Sequence, residues 1–200
     1  TWWDCVDMIS SSGYYPIDQW EQELDRIETL VHSLLKITKL DAGTIELEKS
    51  LENVSELAEN IKKHFLFRAE QEGKEIHLSG NEEISLLCDR NWIIEAIGNL
   101  VKNALDHTEK GGIIRIEWRA FASIVQITVK DNGSGIHPED LHHIFKRFYR
   151  SRFSKDVQGI GLGLPLAKAI IEAHNGTIEV DSTLSTGTSF TINFLNPTKL

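Results

Sequence analysis

The second half of the chain carries three glycine-bearing segments, each beside a run with the periodicity of a helix or a strand. DNGSGI at 131–136 follows an alternating apolar run, GIGLGL at 159–164 opens a helical run, and GTSF at 187–190 enters the last alternating run. Glycine permits positive φ angles and a close approach of the backbone to a ligand. These segments constrain the fold more than any other feature, and they are where the sequence indicates chemistry.

The periodicity of the remaining residues predicts an α+β fold. Helical spacing of apolar residues predicts helices, and alternation predicts strands. We predict helices over residues 18–43, 54–71, 91–108 and 165–174, and strands over 75–79, 84–88, 114–118, 125–129, 177–181 and 188–194. Because strands and helices do not alternate regularly, we expect a two-layer sandwich with helices on one face of a mixed sheet.

The first predicted helix carries its own apolar seam. Asp18 and Glu21 have the spacing of a capping box, and Gly43 can end the helix in a left-handed conformation. The seam consists of Leu24, Ile27, Val31, Leu34 and Thr38. A lone helix of this length is marginal in water, so we expect a partner helix, with packing on its own domain as the alternative. We expect residues 44–50 to form a short connecting strand.

Composition limits the class of partner. The chain has 21 Lys and Arg against 30 Asp and Glu, a formal net charge of −9, which argues against general binding of nucleic acid or anionic membrane. Cys5 and Cys88 are too few for a disulfide framework and favour a reducing, cytosolic setting. No apolar run approaches the ~20 residues that span a bilayer. The first residue is Thr1 rather than Met, so we expect a piece of a longer protein.

Residues 137–158 depart from this acidic background. The cations in this stretch are Lys146, Arg147, Arg150, Arg152 and Lys155. Aromatic residues lie between them, a pattern that fits single-stranded nucleic acid or a mobile lid over an anionic ligand. The overall charge and the flanking glycine segments favour the lid.

The glycine segments each have a chemical interpretation and an ordinary one. Asp131 follows a strand and can accept a hydrogen bond from an exocyclic amine, or it can belong to a simple turn. The free N–H groups of the helix that follows Gly163 favour phosphate. A dinucleotide-binding βαβ unit is excluded because residues 152–158 are mostly polar and cannot form the required apolar strand. The third segment alone is indistinguishable from a hairpin turn.

Two asparagines stand out on the predicted helix over 91–108. Asn99 and Asn103 lie four residues apart on one face, with Glu95 one turn earlier. Amide oxygens can complete the shell of a Mg²⁺ ion that already holds phosphates and water. A solvated helix edge is the alternative, although Asn is a poor helix former and two of them call for a reason.

In this order the motifs resemble those of sensor histidine kinases, from the ATPase superfamily shared with gyrase and the heat-shock chaperones. The chain resembles the N box, the first glycine box, the F box (IFKRFYR, 144–150), the second glycine box and the GTSF turn. The resemblance covers residues 45–195, and residues 18–43 resemble the second helix of the family's dimerisation and phosphotransfer hairpin. It implies a Bergerat-type, left-handed βαβ sandwich, with a partial helical hairpin at 1–43 and an ATP-binding domain at 44–200.

The resemblance also implies a function. The domain would transfer the γ-phosphoryl group of Mg-ATP to a His of the hairpin, for relay to an Asp of a response regulator receiver domain. It implies a homodimer through the hairpin, no nucleic-acid partner, and a soluble cytoplasmic piece of a membrane-anchored parent.

Within the site, the resemblance places Asp131 on the adenine amine, Asn103 on Mg²⁺ and Asn99 near the phosphates. Lys146 or Arg150 would supply the catalytic positive charge. The implied nucleotide-binding residues are Asn99, Asn103, His107, Asp131, Gly133, Gly135, Ile136, Gly159, Gly161, Leu162, Gly163, Leu164 and Thr188.

The sequence departs from the family in ways that matter chemically. Asn99 stands where hydrolytic relatives carry a Glu base, so we expect ATP to be held without hydrolysis. Asp106 and His107 stand where many members have Lys-Tyr, so another cation must serve the phosphates, while His107 can still stack near the adenine. None of the 8 His residues has the context of a phosphoacceptor, which we expect upstream of Thr1.

Two other functions stay open. One is a Ser kinase of the anti-sigma-factor type on the same fold, against which the helical seam argues. The other is a non-catalytic, ATP-gated interaction module, which the missing acceptor and Asp106 leave open.

Overall fold

The computed structural model describes residues 17–151 and 160–197, without the side chains of 17–19, 21 and 22. The chain forms two compact units, residues 1–32 and 33–200. The capping-box side chains, the first hairpin helix, Gly159, and the cations at 152 and 155 lie outside the described residues. The predicted domain boundary after residue 43 stays a prediction.

Helix α1 spans Ile17–Asp41 and ends as predicted, because Gly43 follows it with a φ of +63°. The predicted seam is largely exposed, with 64% of Leu24 and 55% of Ile27 accessible. Among the described side chains of α1, the buried ones are instead Ile37 and Leu40. The last turns of α1 therefore pack within the unit 33–200 through residues that the seam did not include.

The strand predicted over residues 44–50 is wrong. Residues 44–49 have no regular structure, because the backbone of this segment is held by other partners. The N–H of Thr44 donates to the carbonyl of Lys39 at 3.1 Å, and the N–H of Glu48 donates to the Asp89 carboxylate at 3.1 Å. The segment is a connector tied to the start of a later helix.

The remaining elements follow the predicted order. The helices are α2 (Val54–Gln71), α3 (Arg90–Asp106) and α4 (Gly163–Ala173). The strands are β1 (Ser50–Asn53), β2 (Glu75–Gly80), β3 (Ser85–Cys88), β4 (Ile113–Ala120), β5 (Ile124–Asp131), β6 (Thr177–Thr183) and β7 (Gly187–Leu195). Among the described residues, no helix has the length and apolar composition to cross a membrane.

The strands form a mixed sheet, as predicted. Its order is β2-β4-β5-β7-β6, with β2 parallel to β4 and the other pairs antiparallel. Strands β1 and β3 form a separate antiparallel pair. Alternate residues of the sheet face the helices and are buried, among them Ile116, Ile127 and Phe190. Helix α3 contacts both α2 and α4, so it is the central helix of the second layer.

A buried histidine joins α4 to the start of α3. Nδ1 of His174 donates to the carbonyl of Ile170 at 2.8 Å, and Nε2 accepts the N–H of Asp89 at 3.1 Å. The side chain of Asp89 caps α3 through the N–H groups of Asn91 and Trp92. This geometry requires a neutral ring. Burial lowers the pKa of His174, the bond to Ile170 opposes the shift, and the charge of Lys49 adds to it.

Acidification should therefore destabilise the fold through His174. The unfolded chain takes up a proton near the ordinary pKa of 6.5, before the folded chain does, so stability is lost as pH falls through that value and then through the lowered folded pKa. We expect the free energy of unfolding, measured by urea denaturation between about pH 7.5 and about pH 5.5, to fall less steeply in His174→Gln. His32→Gln, at an exposed position, is the control and should keep the wild-type slope. Equal slopes in all three proteins would contradict this role.

Candidate functional site

Asp131 is a buried carboxylate at the end of β5. Only 4% of the residue is exposed. Its Oδ1 accepts the N–H of Gly133 at 2.9 Å and the N–H of Thr188 at 3.2 Å. In the described part of the chain, no hydrogen bond reaches Oδ2, which leaves an acceptor for a ligand amine. Burial raises the pKa of Asp131, while the two N–H donors oppose that shift.

The backbone packs closely around this carboxylate. A Cβ on Gly133 would lie 2.2 Å from the carbonyl oxygen of His107, and a Cβ on Gly187 would lie 2.0 Å from the carbonyl oxygen of Asp131. Neither position accepts a side chain without movement of the backbone. The glycines of the first and third segments therefore allow α3, β5 and β7 to meet at Asp131.

The first glycine segment is fixed at both of its ends. The N–H of Ser134 donates to the carbonyl of His107 at 3.0 Å, at the C-terminal end of α3. The N–H of Ile136 donates to Oγ of Ser182 at 2.9 Å, and that hydroxyl also contacts Oγ1 of Thr188 at 3.0 Å. Gly135, with a φ of +69°, lies against the carbonyl of residue 183. Sequence reasoning missed Ser182, because a serine inside a β-patterned run gives no signal of this role.

Asn99 and Asn103 lie on one half-buried face of α3. The amide nitrogen of Asn99 donates to the carbonyl of Glu95 at 3.0 Å. Its amide oxygen therefore turns toward α4, where a Cβ on Gly163 would lie 3.2 Å from it. The structure brings the N-box asparagine and the second glycine segment together.

Helix α4 begins at Gly163 with Leu162 as its N-cap, and no side chain caps it. The N–H groups of Gly163 and Leu164 are thus available to an anion, whereas Pro165 has no N–H. Leu162 is buried, and Leu164 is half-buried in that first turn. The phosphate-binding role of this segment stays a prediction.

The F box is anchored to the second glycine segment. The N–H of Phe148 donates to the carbonyl of Gly161 at 2.9 Å, and both residues have positive φ angles, +62° and +75°. Asp140, which is 2% exposed, accepts the hydroxyl of Tyr149 at 2.6 Å and that of Ser151. Asp140 organises this loop, although no motif or spacing points to it.

The predicted catalytic cations lie on the surface of that loop. Lys146 and Arg150 are exposed. The neighbouring Arg147 pairs with Asp41 at the end of α1. The choice between Lys146 and Arg150 stays a prediction.

Two carboxylates flank the asparagines on the same face of α3, and each is paired with a cation from another helix. Glu95 accepts Nζ of Lys36 at 2.6 and 2.9 Å, and Lys36 lies 5.6 Å from the centre of the Trp92 ring. Asp106 accepts Nη2 of Arg68 at 2.6 Å. Along the polar face of α3, the two asparagines therefore lie between two carboxylates, and each carboxylate is neutralised by a cation.

The donor set suits a magnesium ion that brings its own ligands. Among the described residues, no group of three or more His, Cys, Asp or Glu side chains could hold a metal. Amide oxygens such as that of Asn103 fit an ion that keeps water and phosphate oxygens in its shell.

A family model described as Histidine kinase-, DNA gyrase B-, and HSP90-like ATPase matches residues 88–198, which is more than half of the chain. The chain belongs to this family. The predicted resemblance and the α+β fold class are thereby confirmed. A second model, Glycoside Hydrolase Family 113, matches residues 1–44, too small a share of the chain to show a family.

The curated relatives of this ATPase domain include sensor kinases. The chain is 32% identical over 86% of its length to the sensor histidine kinase YvrG of Bacillus subtilis, and covers 30% of that protein. It is 35% identical over 80% of its length to the sensor protein kinase PmrB of Pseudomonas aeruginosa, and covers 33% of it. The chain thus spans about a third of the curated relatives that it matches.

Solved structures show the same fold. The Acinetobacter baumannii histidine kinase AdeS aligns with a TM-score of 0.76 at 25% identity, over 95% of this chain and 90% of that one. The histidine kinase ThkA, in complex with the response regulator protein TrrA, aligns with a TM-score of 0.74 at 26% identity, over 92% of this chain and 51% of that one.

Replacing Asp131 with Asn should separate binding from stability. Asn keeps an oxygen for the N–H groups of Gly133 and Thr188 but presents an NH₂ group where an adenine amine needs an acceptor, so adenosine and ADP affinity should fall at least about tenfold in calorimetry. The raised pKa of Asp131 means that its charged form opposes folding at neutral pH, so the melting temperature should stay equal or rise.

Asp181→Asn, at an exposed position on β6, is the control. Unchanged adenosine affinity in Asp131→Asn would remove the adenine assignment.

Proposed function

We propose that the chain is the ATP-binding catalytic portion of a sensor histidine kinase, which transfers the γ-phosphoryl group of ATP to a His of a dimerisation hairpin. The observation that carries the proposal is the buried Asp131 carboxylate, whose Oδ1 accepts the N–H groups of Gly133 and Thr188 while no hydrogen bond among the described residues reaches Oδ2. A base with an exocyclic amine fits this acceptor. The ATPase family membership and the kinase relatives support the same conclusion.

The residues around the phosphates have separable roles. The first turn of α4 offers N–H groups to the phosphate oxygens. Asn99, next to Gly163, supplies an amide and no proton acceptor, so water bound there is not activated. A neutral imidazole nitrogen attacks the γ-phosphorus in line, and the bond to the β,γ-bridging oxygen breaks. Lys146 or Arg150 stabilises the charge that spreads over the phosphoryl oxygens.

Magnesium belongs to the same proposal. When bound, it neutralises charge on the β- and γ-phosphates. Asn103 would supply its protein oxygen ligand, from one turn after Asn99 on α3.

The proposed partners are a second copy of the chain and a response regulator. The exposed apolar residues of α1 suit a homodimer through the helical hairpin. The ThkA complex with TrrA supports a receiver domain as the partner that takes the phosphoryl group. We propose a cytoplasmic position for this portion within a parent anchored in the membrane, as expected of a sensor protein.

The chain should bind ATP without phosphorylating itself, because none of its 8 His residues has an acceptor's context. We expect no phosphate on the chain after incubation with γ-labelled ATP and magnesium, and acid-labile, base-stable phosphate on the parent's complete hairpin when it is added in trans. Acid-stable phosphate on a partner would instead indicate a Ser kinase. Nucleotide binding without any transfer would indicate an interaction module.

Asn103→Ala should remove the magnesium-dependent part of ATP affinity. Loss of one oxygen ligand weakens the metal but leaves the adenine contacts of Asp131 intact, so ATP affinity should fall about tenfold with magnesium and little in excess chelator. Calorimetry in both buffers measures the difference. Asn60→Ala, an exposed amide on α2, is the control. An equal loss in both buffers would rule out a metal ligand at Asn103.

A further inference from the structure

The C-terminal end of the polar face of α3 carries a negative charge. Asp106 lies seven residues after Asn99 and three after Asn103, so all three share one face of the helix. Along the helix axis Asp106 is only about 4.5 Å beyond Asn103. That distance is shorter than the Debye length of about 10 Å at 0.1 M salt. An uncompensated carboxylate there would repel a bound polyphosphate.

Arg68 compensates that carboxylate from a different helix. Its Nη2 donates to Asp106 at 2.6 Å, and its Nε donates at 2.6 Å to Glu72, the C-cap residue of α2. Lys74 in turn pairs with Glu72 and donates to the carbonyl of Leu105 at 2.7 Å. Arg68 is therefore fixed in orientation by two carboxylates, and the four charges sum to zero.

The same compensation occurs at the other end of the face. Glu95 lies one turn before Asn99 and is neutralised by Lys36 of α1, with both carboxylate oxygens engaged. Each of the two acids on the polar face of α3 is paired with a cation from another helix. The net charge of this face is therefore kept close to zero. Asp106 is the more informative of the two, because the next residue, His107, holds the first glycine segment through its carbonyl.

We propose that Arg68 is a positioning residue for nucleotide binding, which acts through Asp106 by cancelling its charge three residues beyond Asn103 on the polar face of α3. This inference rests on the proposed function. It assigns a specific role to a residue outside every glycine segment and outside α3. It also accounts for how a nucleotide site tolerates an acid at position 106.

The test compares ligands that differ only in phosphate. Arg68→Met should lower affinity for ADP and ATP about five- to tenfold at ~0.05 M salt and much less at ~0.5 M salt. Adenosine affinity should not change, because it carries no phosphate. Arg68→Lys keeps the positive charge and should bind ADP nearly as well as the wild type. Each variant is first checked by circular dichroism and thermal melting.

A second substitution tests whether Arg68 acts through Asp106. Asp106→Asn removes the carboxylate charge, so the double variant Arg68→Met/Asp106→Asn should regain wild-type ADP affinity. Arg90→Met is the matched control, since Arg90 pairs with Glu52 at 2.7 Å with a similar exposure, 36% against 35% for Arg68. Arg90 lies at the other end of α3, about 24 Å from Asp106 along the helix axis. The Arg90→Met variant should therefore bind ADP as the wild type does.

The outcomes distinguish failure of the role of Arg68 from failure of the proposed function. If the wild-type chain binds no ADP, the proposed function fails. If it binds ADP and Arg68→Met weakens adenosine equally, or changes nothing, Arg68 has no charge-compensating role. Failure of Asp106→Asn to restore affinity, or a magnesium-dependent loss in Asp106→Asn alone, would also overturn the inference.

Discussion

The structure depends on the two-sided character of α3. One side is apolar and fully buried, with Ile93, Ile97 and Leu100 between the sheet and the neighbouring helices. The other side carries the asparagines and their flanking acids. Because the buried side leaves no freedom for the helix to rotate, the polar side is fixed relative to Asp131 and to the start of α4. The packing energy of the core and the orientation of the site thus come from the same element.

The local elements were predictable from sequence because their signals are local. The helix over Val54–Gln71 was predicted with its observed bounds, and the alternating runs of β4, β5 and β7 were placed correctly. Strand pairing was less accessible, since the parallel pairing of β2 with β4 and the separate β1–β3 pair depend on tertiary contacts. The strand expected over 44–50 failed because Asp89, far along the chain, captures its backbone.

The site divides in the same way. Asp131, the glycine segments and the two asparagines were selected by motif, and the structure gathers the described members around α3. Ser182, Asp140 and Arg68 were not selected, because each acts through partners distant in sequence and none belongs to a recognisable spacing. Long-range polar contacts of single residues leave no periodic trace, so only a structure shows them.

The hydrogen bond between Phe148 and Gly161 brings the two ends of the stretch 149–160 together and so closes a ring. The free energy of closing such a ring grows only with the logarithm of its length, about 0.6 kcal/mol for each doubling. Insertions or deletions between Phe148 and Gly161 would therefore change the free energy of closing the ring very little. Evolution can vary the length and chemistry of this stretch while the start of α4 keeps its position.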